Sequence, residues 1–345
     1  MSKRTAPSRV LGSSNTSTQH LNITRFEHVL AATFALVLCA LTFAQLTSDF
    51  VYAPADEAIF PAGDSGAWDA RYTYSPYIIQ HDGTYYMYYG GISQTNVWAF
   101  GLATSSDGIN WQRRFVDAPM FTPNTGVKPT TPVVLLEADT WIMYYVDWQP
   151  DGASNLIYRA TAPAAAGPWT ADPEPVITAP PDSWQSIITL RDVILTDNGY
   201  LMMYSGANSS GTHYQIGVAT SNDGLTWTLS DDPVIARNDA DDRAWDHSAI
   251  VPSNILQQAD GSLAIFTMGT NTVFRNFPYS TPVGYATSQD GLNWTPSNSG
   301  QPIIETDDEP FWSFLYALPL DDEVVLYLPW DAGAKGMRIM RGPRP

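Results

Sequence analysis

Ten side chains in this chain have the chemistry to work on a polar ligand. Four are carboxylates: Asp69, Asp192, Asp246 and Glu309. Arg71 and Arg191 offer guanidinium groups, Trp68, Trp245 and Trp312 offer indole faces, and His247 stands beside Asp246. Carboxyls held in different environments can divide the work of acid, base and nucleophile among themselves. A guanidinium grips oxygens through a fixed fork of donors. Arg191-Asp192 is the sharpest case, because it interrupts the apolar run from Leu190 to Leu195. A charged pair entering such a strand is costly unless its members pair or face a solvated cavity. A buried structural ion pair is the alternative to a functional one.

The other candidates come from an internal rhyme. Trp68, Trp184, Trp245 and Trp312 each open a unit, and seven residues later stand Ser75, Arg191, Pro252 and Pro319. The Trp is constant, which suits a structural role. The next residue varies: Asp69, Gln185, Asp246, Ser313. The repeat therefore does not demand an acid there, and turn capping competes with function for Asp69 and Asp246. Acidic loops precede two of the units, with Asp239, Asp241 and Asp242 before Trp245, and Asp307, Asp308 and Glu309 before Trp312. Solvated charge is the ordinary reading. A divalent cation such as calcium is the other, since hard cations take clustered carboxylates, but the spacing matches no defined metal loop. No other cofactor is expected.

These residues must be positioned by a repeated all-β architecture. Ser105-Ser106-Asp107-Gly108-Ile109-Asn110-Trp111 returns at Ser221–Trp227 and at Ser288–Trp294, with a degenerate copy ending at Trp169. The Trp spacings are 58, 58 and 67 residues, a period typical of repeat folds. Each unit has an aromatic-rich run such as Thr84–Tyr89, preceded by a hairpin signal such as Asp82-Gly83. A second strand, the Asp-Gly turn ending in Trp, and an apolar stub follow. Four short strands per unit, with no helical period, predict β-propeller blades. The stubs end at Phe121, Ile177, Ile235 and Ile304, and the fifth unit runs out of chain before reaching its own. A fitting stub, Pro54–Phe60, lies 61 residues before Phe121. The expectation is five blades over residues 50–345, with the N-terminal strand closing the ring and removing two sheet edges.

The formal net charge of −18 excludes the basic footprint of a nucleic-acid binder. The single cysteine, Cys39, lies outside the repeats, so no disulfide is expected within them. Residues 1–28 form a polar, basic tail. Residues 29–46 are an uncharged apolar stretch, expected to form a hydrophobic helix that acts as signal peptide or single membrane anchor. Either role places the propeller outside the cytoplasm, and an uncleaved segment makes the membrane a partner.

The blade elements resemble the five-bladed propeller glycosidases, namely glycoside hydrolase families 43, 32, 68 and 130. The resemblance rests on Ser75–Ile79, Asp82–Tyr89, Gly101–Trp111 and Arg191-Asp192-Val193, and covers about residues 50–345. It implies a carbohydrate substrate and carboxylates around the central pocket. Arg191-Asp192 resembles the Arg-Asp-Pro element of the fructan-active families, whose Asp steadies the transition state; here Val193 replaces the Pro. Family 43 carries its base in an Asp-Pro pair where this chain has Ser75-Pro76, and its Glu-Gly-Pro element has no counterpart. The resemblance implies Asp192 as charge stabiliser. Glycoside hydrolysis needs two carboxyls, and Asp69, Asp192, Asp246 and Glu309 come from four different blades; Asp69 is therefore expected as base or nucleophile and Glu309 or Asp246 as acid. Arg71 and Arg191 would bind substrate, with His247 near the mouth and Trp68, Trp245 and Trp312 available for stacking on sugars. Such an assignment fails if Asp69 and Asp192 stand more than about 12 Å apart. The alternative is a non-catalytic propeller that binds carbohydrate or protein.

Overall fold

The repeats form five antiparallel sheets, the blades of an all-β five-bladed propeller. The computed structural model describes residues 50–52, 58–123, 128–148, 155–271, 281–305, 314–330 and 336–344. The innermost strands, in order, are Tyr72–His81, Lys128–Glu137, Ile187–Thr196, Ala249–Pro252 with Leu256–Gln257, and Tyr316–Leu320. Each is followed by a middle strand: Thr84–Ile92, Thr140–Trp148, Gly199–Ala207, Leu263–Thr270 and Glu323–Trp330. No α-helix occurs among the described residues; one short 3-10 turn spans Asn298–Gly300. No described helix is long and apolar enough to cross a membrane. The expected helix at 29–46 lies outside the described residues.

The predicted stubs sit at equivalent places. Phe121 bridges Phe100, Ile235 bridges Ile216 and Ile304 bridges Val283, while Ile177 pairs with Ile157. In the fifth sheet the same place is taken from the other end of the chain. Phe60 bridges Met337, and Val51–Tyr52 pairs with Arg341 and Met340 of Gly336–Pro343.

The Asp-Gly turns lock one blade to the one before it. Asp107 Oδ1 accepts the backbone N–H groups of Ile109 and Asn110, and Ser105 Oγ accepts those of Asp107 and Gly108. Asp223 and Asp290 repeat the pattern. The amide donors of Asn293 and Leu292, with the Asn293 side chain, hold the Asp290 carboxyl down to about 2. Gly108 has φ +72°, and a Cβ there would strike Leu318 of the fifth blade. A Cβ on Gly224 would strike Tyr144 of the second blade, and one on Gly291 would strike Leu201 of the third. Left-handed backbone and close approach both select glycine. Between blades lies apolar core, as where Tyr88 of the first meets Trp141 and Trp169 of the second.

The constant Trp is a strut. Trp68 lies over Gly91, stacks on Tyr89 and donates its indole N–H to Phe115 O at 3.1 Å. Trp184 lies over Gly206 and Gly217 and donates to Asp231 O. Trp245 lies over Gly269 and Gly284 and donates to Gly300 O. In each case the indole ties the blade entry to the outer loop. The expectation that Trp68 stacks on sugars gives way to this internal role, because it is buried with its face on Tyr89 and its N–H engaged, whereas the half-buried Trp245 also lines a cavity. Trp312 lies outside the described residues.

Candidate functional site

The five inner strands surround a channel with two chambers. The first, at the mouth, is lined by Ser75, Tyr77, Thr131, Arg191, Phe314 and Tyr316, with the two prolines that follow Ser75 and Thr131. It is narrow, with a cavity volume of about 30 Å³. The second holds about 530 Å³. Its walls include Tyr77, Gln80, Tyr85, Asp192, Asn254 and Tyr316 among many apolar side chains. Arg191 therefore faces one chamber and Asp192 the other, although they are neighbours in sequence. The inner strand is irregular at this point: Leu190 pairs with Tyr204 and Asp192 with Met203, leaving Arg191 as the extra residue of a bulge. A bulge turns consecutive side chains off their normal alternation.

Asp192 is buried and fully engaged. Its Oδ1 accepts the Tyr77 hydroxyl at 2.7 Å and the Val193 N–H at 2.8 Å. Its Oδ2 accepts the Ile255 N–H from the fourth blade at 2.7 Å. Burial pushes the carboxyl up to about 6, against the downward pull of these hydrogen bonds. The alternative of an Arg191–Asp192 ion pair is not what the fold builds. Arg191 Nε instead donates to Ser205 Oγ at 3.0 Å, and the guanidinium carbon lies 4.9 Å from the centre of the Phe314 ring. Burial pulls the Arg191 guanidinium down to about 9, so it remains a cation at neutral pH.

The other expected carboxylates are not brought to this channel. Asp69 is 1% exposed inside the first blade. It accepts the Tyr89 hydroxyl at 3.0 Å and Arg113 Nε, from the outer strand Gln112–Arg113, at 2.9 Å. It lines neither chamber, which corrects its expected role as base or nucleophile: a carboxylate sealed against an outer-strand arginine cannot reach a channel ligand. Asp246 is half-buried in a separate cavity of about 70 Å³, with Ile235, Trp245, Thr267 and Gly284 in its wall. Burial raises its pKa. Arg71 is on the surface, donating to Asn96 Oδ1. His247 is turned to its own loop, with Nδ1 3.0 Å from Asn238 O. Glu309 lies outside the described residues. Among the described residues no three His, Cys, Asp or Glu side chains gather in a cation site, and Asp239 is paired with Arg237.

Ser75, Thr131, Tyr77 and Phe314 join the site without having been singled out in the sequence as ligand-binding. A signal for two of them was available: Ser75-Pro76 and Thr131-Pro132 are the pairs equivalent to Arg191-Asp192 in the neighbouring blades.

Residues 76–246 match the N-terminal domain of glycosyl hydrolases family 32. No curated protein matches the sequence. A glycosyl hydrolase from Bacteroides ovatus superposes with a TM-score of 0.61 at 14% identity, over 86% of this chain and 94% of that one. A thermostable family-43 glycoside hydrolase gives 0.57 at 18% identity, over 81% and 90%. A member of a family described as mannoside phosphorylases containing glycoside hydrolases, which target β-1,2 mannosidic linkages in Candida mannan, gives 0.56 at 15%, over 86% and 96%. At these identities the likeness is one of fold.

Proposed function

The chain is a divergent member of the five-bladed β-propeller glycosidase superfamily, and from that premise we propose that it hydrolyses glycosidic bonds of oligosaccharides or polysaccharides at the central channel. One observation carries the reading. Asp192 is a channel carboxyl with a pKa near 6, hydrogen-bonded to a tyrosine hydroxyl and lining a chamber of about 530 Å³. Perturbed carboxyls in clefts concentrate at functional sites, and a carboxyl with a pKa near 6 is largely ionised at neutral pH. Asp192 stabilises the positive charge that develops on the sugar as the bond breaks. Glycoside hydrolysis needs a second carboxyl to protonate the leaving oxygen. Glu309 is proposed for that step, five residues before Phe314, which lines the mouth. The uncharged stretch 29–46 behind its basic leader supports export, as signal or anchor.

The test is sugar release by the full chain from a broad oligosaccharide panel, alongside Asp192→Asn and Glu309→Gln. Release that falls at least a hundredfold in both variants supports the reading. Undiminished release by Asp192→Asn removes Asp192 from the mechanism.

A second reading, a carbohydrate-binding propeller without catalysis, is favoured by a specific observation. Asp192 is the single carboxylate among the described residues lining either chamber. Sugar binding by a folded chain that releases nothing from any substrate would select it.

A further inference from the structure

Among the described residues, the mouth of the channel contains a buried cation, Arg191, with no counter-charge. Arg191 is 7% exposed. Its Nη2 has no hydrogen-bond partner. Its Nε is held by a neutral serine and its face by Phe314. The adjacent Asp192 does not neutralise it, because that carboxylate is turned to Tyr77, Val193 and Ile255. Among the described residues of both chambers Asp192 is the only acid. Taking a cation out of water costs several kcal/mol unless an opposite charge or good hydrogen bonds compensate. Nothing described in this fold compensates Arg191 fully.

Two more donors share the chamber. Ser75 Oγ and Thr131 Oγ1 are buried and have no hydrogen-bond partner. Both residues are held in the left-handed region, at φ +49° and +50°. That conformation is costly for a side chain with a Cβ, most of all for a β-branched one. Strained backbone of this kind persists where the surroundings over-determine it, and it concentrates at binding sites. The first three inner strands thus each contribute to the wall of a single narrow space one residue with an unsatisfied polar atom: Ser75, Thr131 and Arg191.

We propose that this mouth is a receptor for the carboxylate of an acidic sugar, so that the glycan recognised by the channel carries uronic-acid-type residues. This rests on the carbohydrate reading above and specifies its substrate class. A carboxylate presents two oxygens and about four acceptor sites, which suit a guanidinium N–H and two hydroxyl donors. The enclosed space of about 30 Å³ takes a small planar group, with its sugar ring held above it. A phosphate dianion fits less well, since Arg191 is the only cation among the described lining residues.

The full chain is titrated calorimetrically with methyl glucuronoside, methyl galacturonoside and short oligouronides. Their neutral gluco and galacto counterparts, and inorganic phosphate, serve as comparison probes. At least one uronide is expected to bind ten times or more tightly than its neutral counterpart. Arg191→Met should abolish that preference, and Arg191→Lys, which keeps charge but loses the fork, should reduce it about tenfold. Because no described counter-charge is lost, while removal of the buried charge offsets loss of the Ser205 hydrogen bond and the Phe314 contact, Arg191→Met should melt close to the parent. A fall of several degrees would mean that Arg191 is a structural element, and would overturn the proposal. Equal affinity for acidic and neutral sugars, no binding by any uronide, or phosphate that competes at equal affinity would each overturn it too. Hydrolysis of neutral glycans without acid preference would sink the receptor and leave the hydrolase standing. Uronide binding without hydrolysis would do the reverse.

Discussion

Asp69 and Asp246 occupy the same place in two blades, each directly after the repeated Trp, yet the fold treats them oppositely. In the first blade, Tyr89 of the middle strand reaches Asp69, its ring lying over Gly101 of the next strand. Arg113 completes the neutralisation. The third blade repeats the device without charge: Tyr204 lies over Gly217 and its hydroxyl meets Gln185. In the fourth blade the glycine is kept as Gly284, but the residue facing it is Thr267. The tyrosine is missing, no arginine takes its place among the described residues, and a cavity opens beside a half-buried Asp246. What decides the fate of a carboxylate here is the partner on the neighbouring strand, not its position in the repeat.

The first blade offers the largest effect. Asp69→Ala removes a buried charge and strands both Arg113 and the Tyr89 hydroxyl. Breaking a buried pair from one side costs about 3–5 kcal/mol. Arg113 keeps 20% of its side-chain exposure, so the low end, about 3 kcal/mol, is expected in chemical denaturation. Asp246→Ala should change stability by less than about 1 kcal/mol, since it strands no partner among the described residues. Equal costs at the two sites would erase the distinction.

Asp192 tests the contrast from a third direction, as a carboxylate buried like Asp69 but without a cation. Its folded pKa, about 6, lies above the unfolded value of 3.8. Between those values the folded state binds more protons than the unfolded one, so stability must fall as pH rises through that window and level off above it. The expected loss is on the order of 3 kcal/mol. Asp192→Asn, which cannot ionise, should lack this slope between pH 4 and 6.5. Melting profiles of parent and variant that stay parallel across the window would mean that Asp192 titrates as an ordinary surface acid.

The blades were legible in the sequence because the repeat is held by local chemistry. The Ser-x-Asp-Gly turn satisfies its own amides, and its glycine is demanded by both φ and the preceding blade. The Trp struts and the stubs from Phe60 to Ile304 repeat for equally local reasons. The site was less legible because it depends on where side chains point. Arg191-Asp192 was recognisable as a costly intrusion, but the bulge that sends the two residues into different chambers leaves no mark in the sequence. Ser75 and Thr131 read as ordinary small polar residues before prolines until their left-handed backbone and the chamber wall they share with Arg191 set them apart. Asp69 read as a candidate because Arg113, its partner, is 44 residues away.

The smallest effect is also the most direct test of the opening contrast. If the cavity beside Asp246 exists because Thr267 stands where Tyr89 and Tyr204 stand, restoring the tyrosine should close it. The backbone is prepared for the change, since Gly284 still leaves room for a ring. Filling about 70 Å³ at about 24 cal/mol per Å³ sets an upper limit near 1.7 kcal/mol. Ordering the new side chain and desolvating Asp246 reduce this, so Thr267→Tyr should stabilise by about 1 kcal/mol. Part of that gain should come from a hydroxyl bond to Asp246, and should disappear when Asp246→Ala is combined with it. A double-mutant cycle isolates this coupling. A Thr267→Tyr variant less stable than its parent would mean that the wall around Trp245 and Ile235 has already settled into the smaller residue, and that the fourth blade departs from its siblings in packing as well as in one side chain.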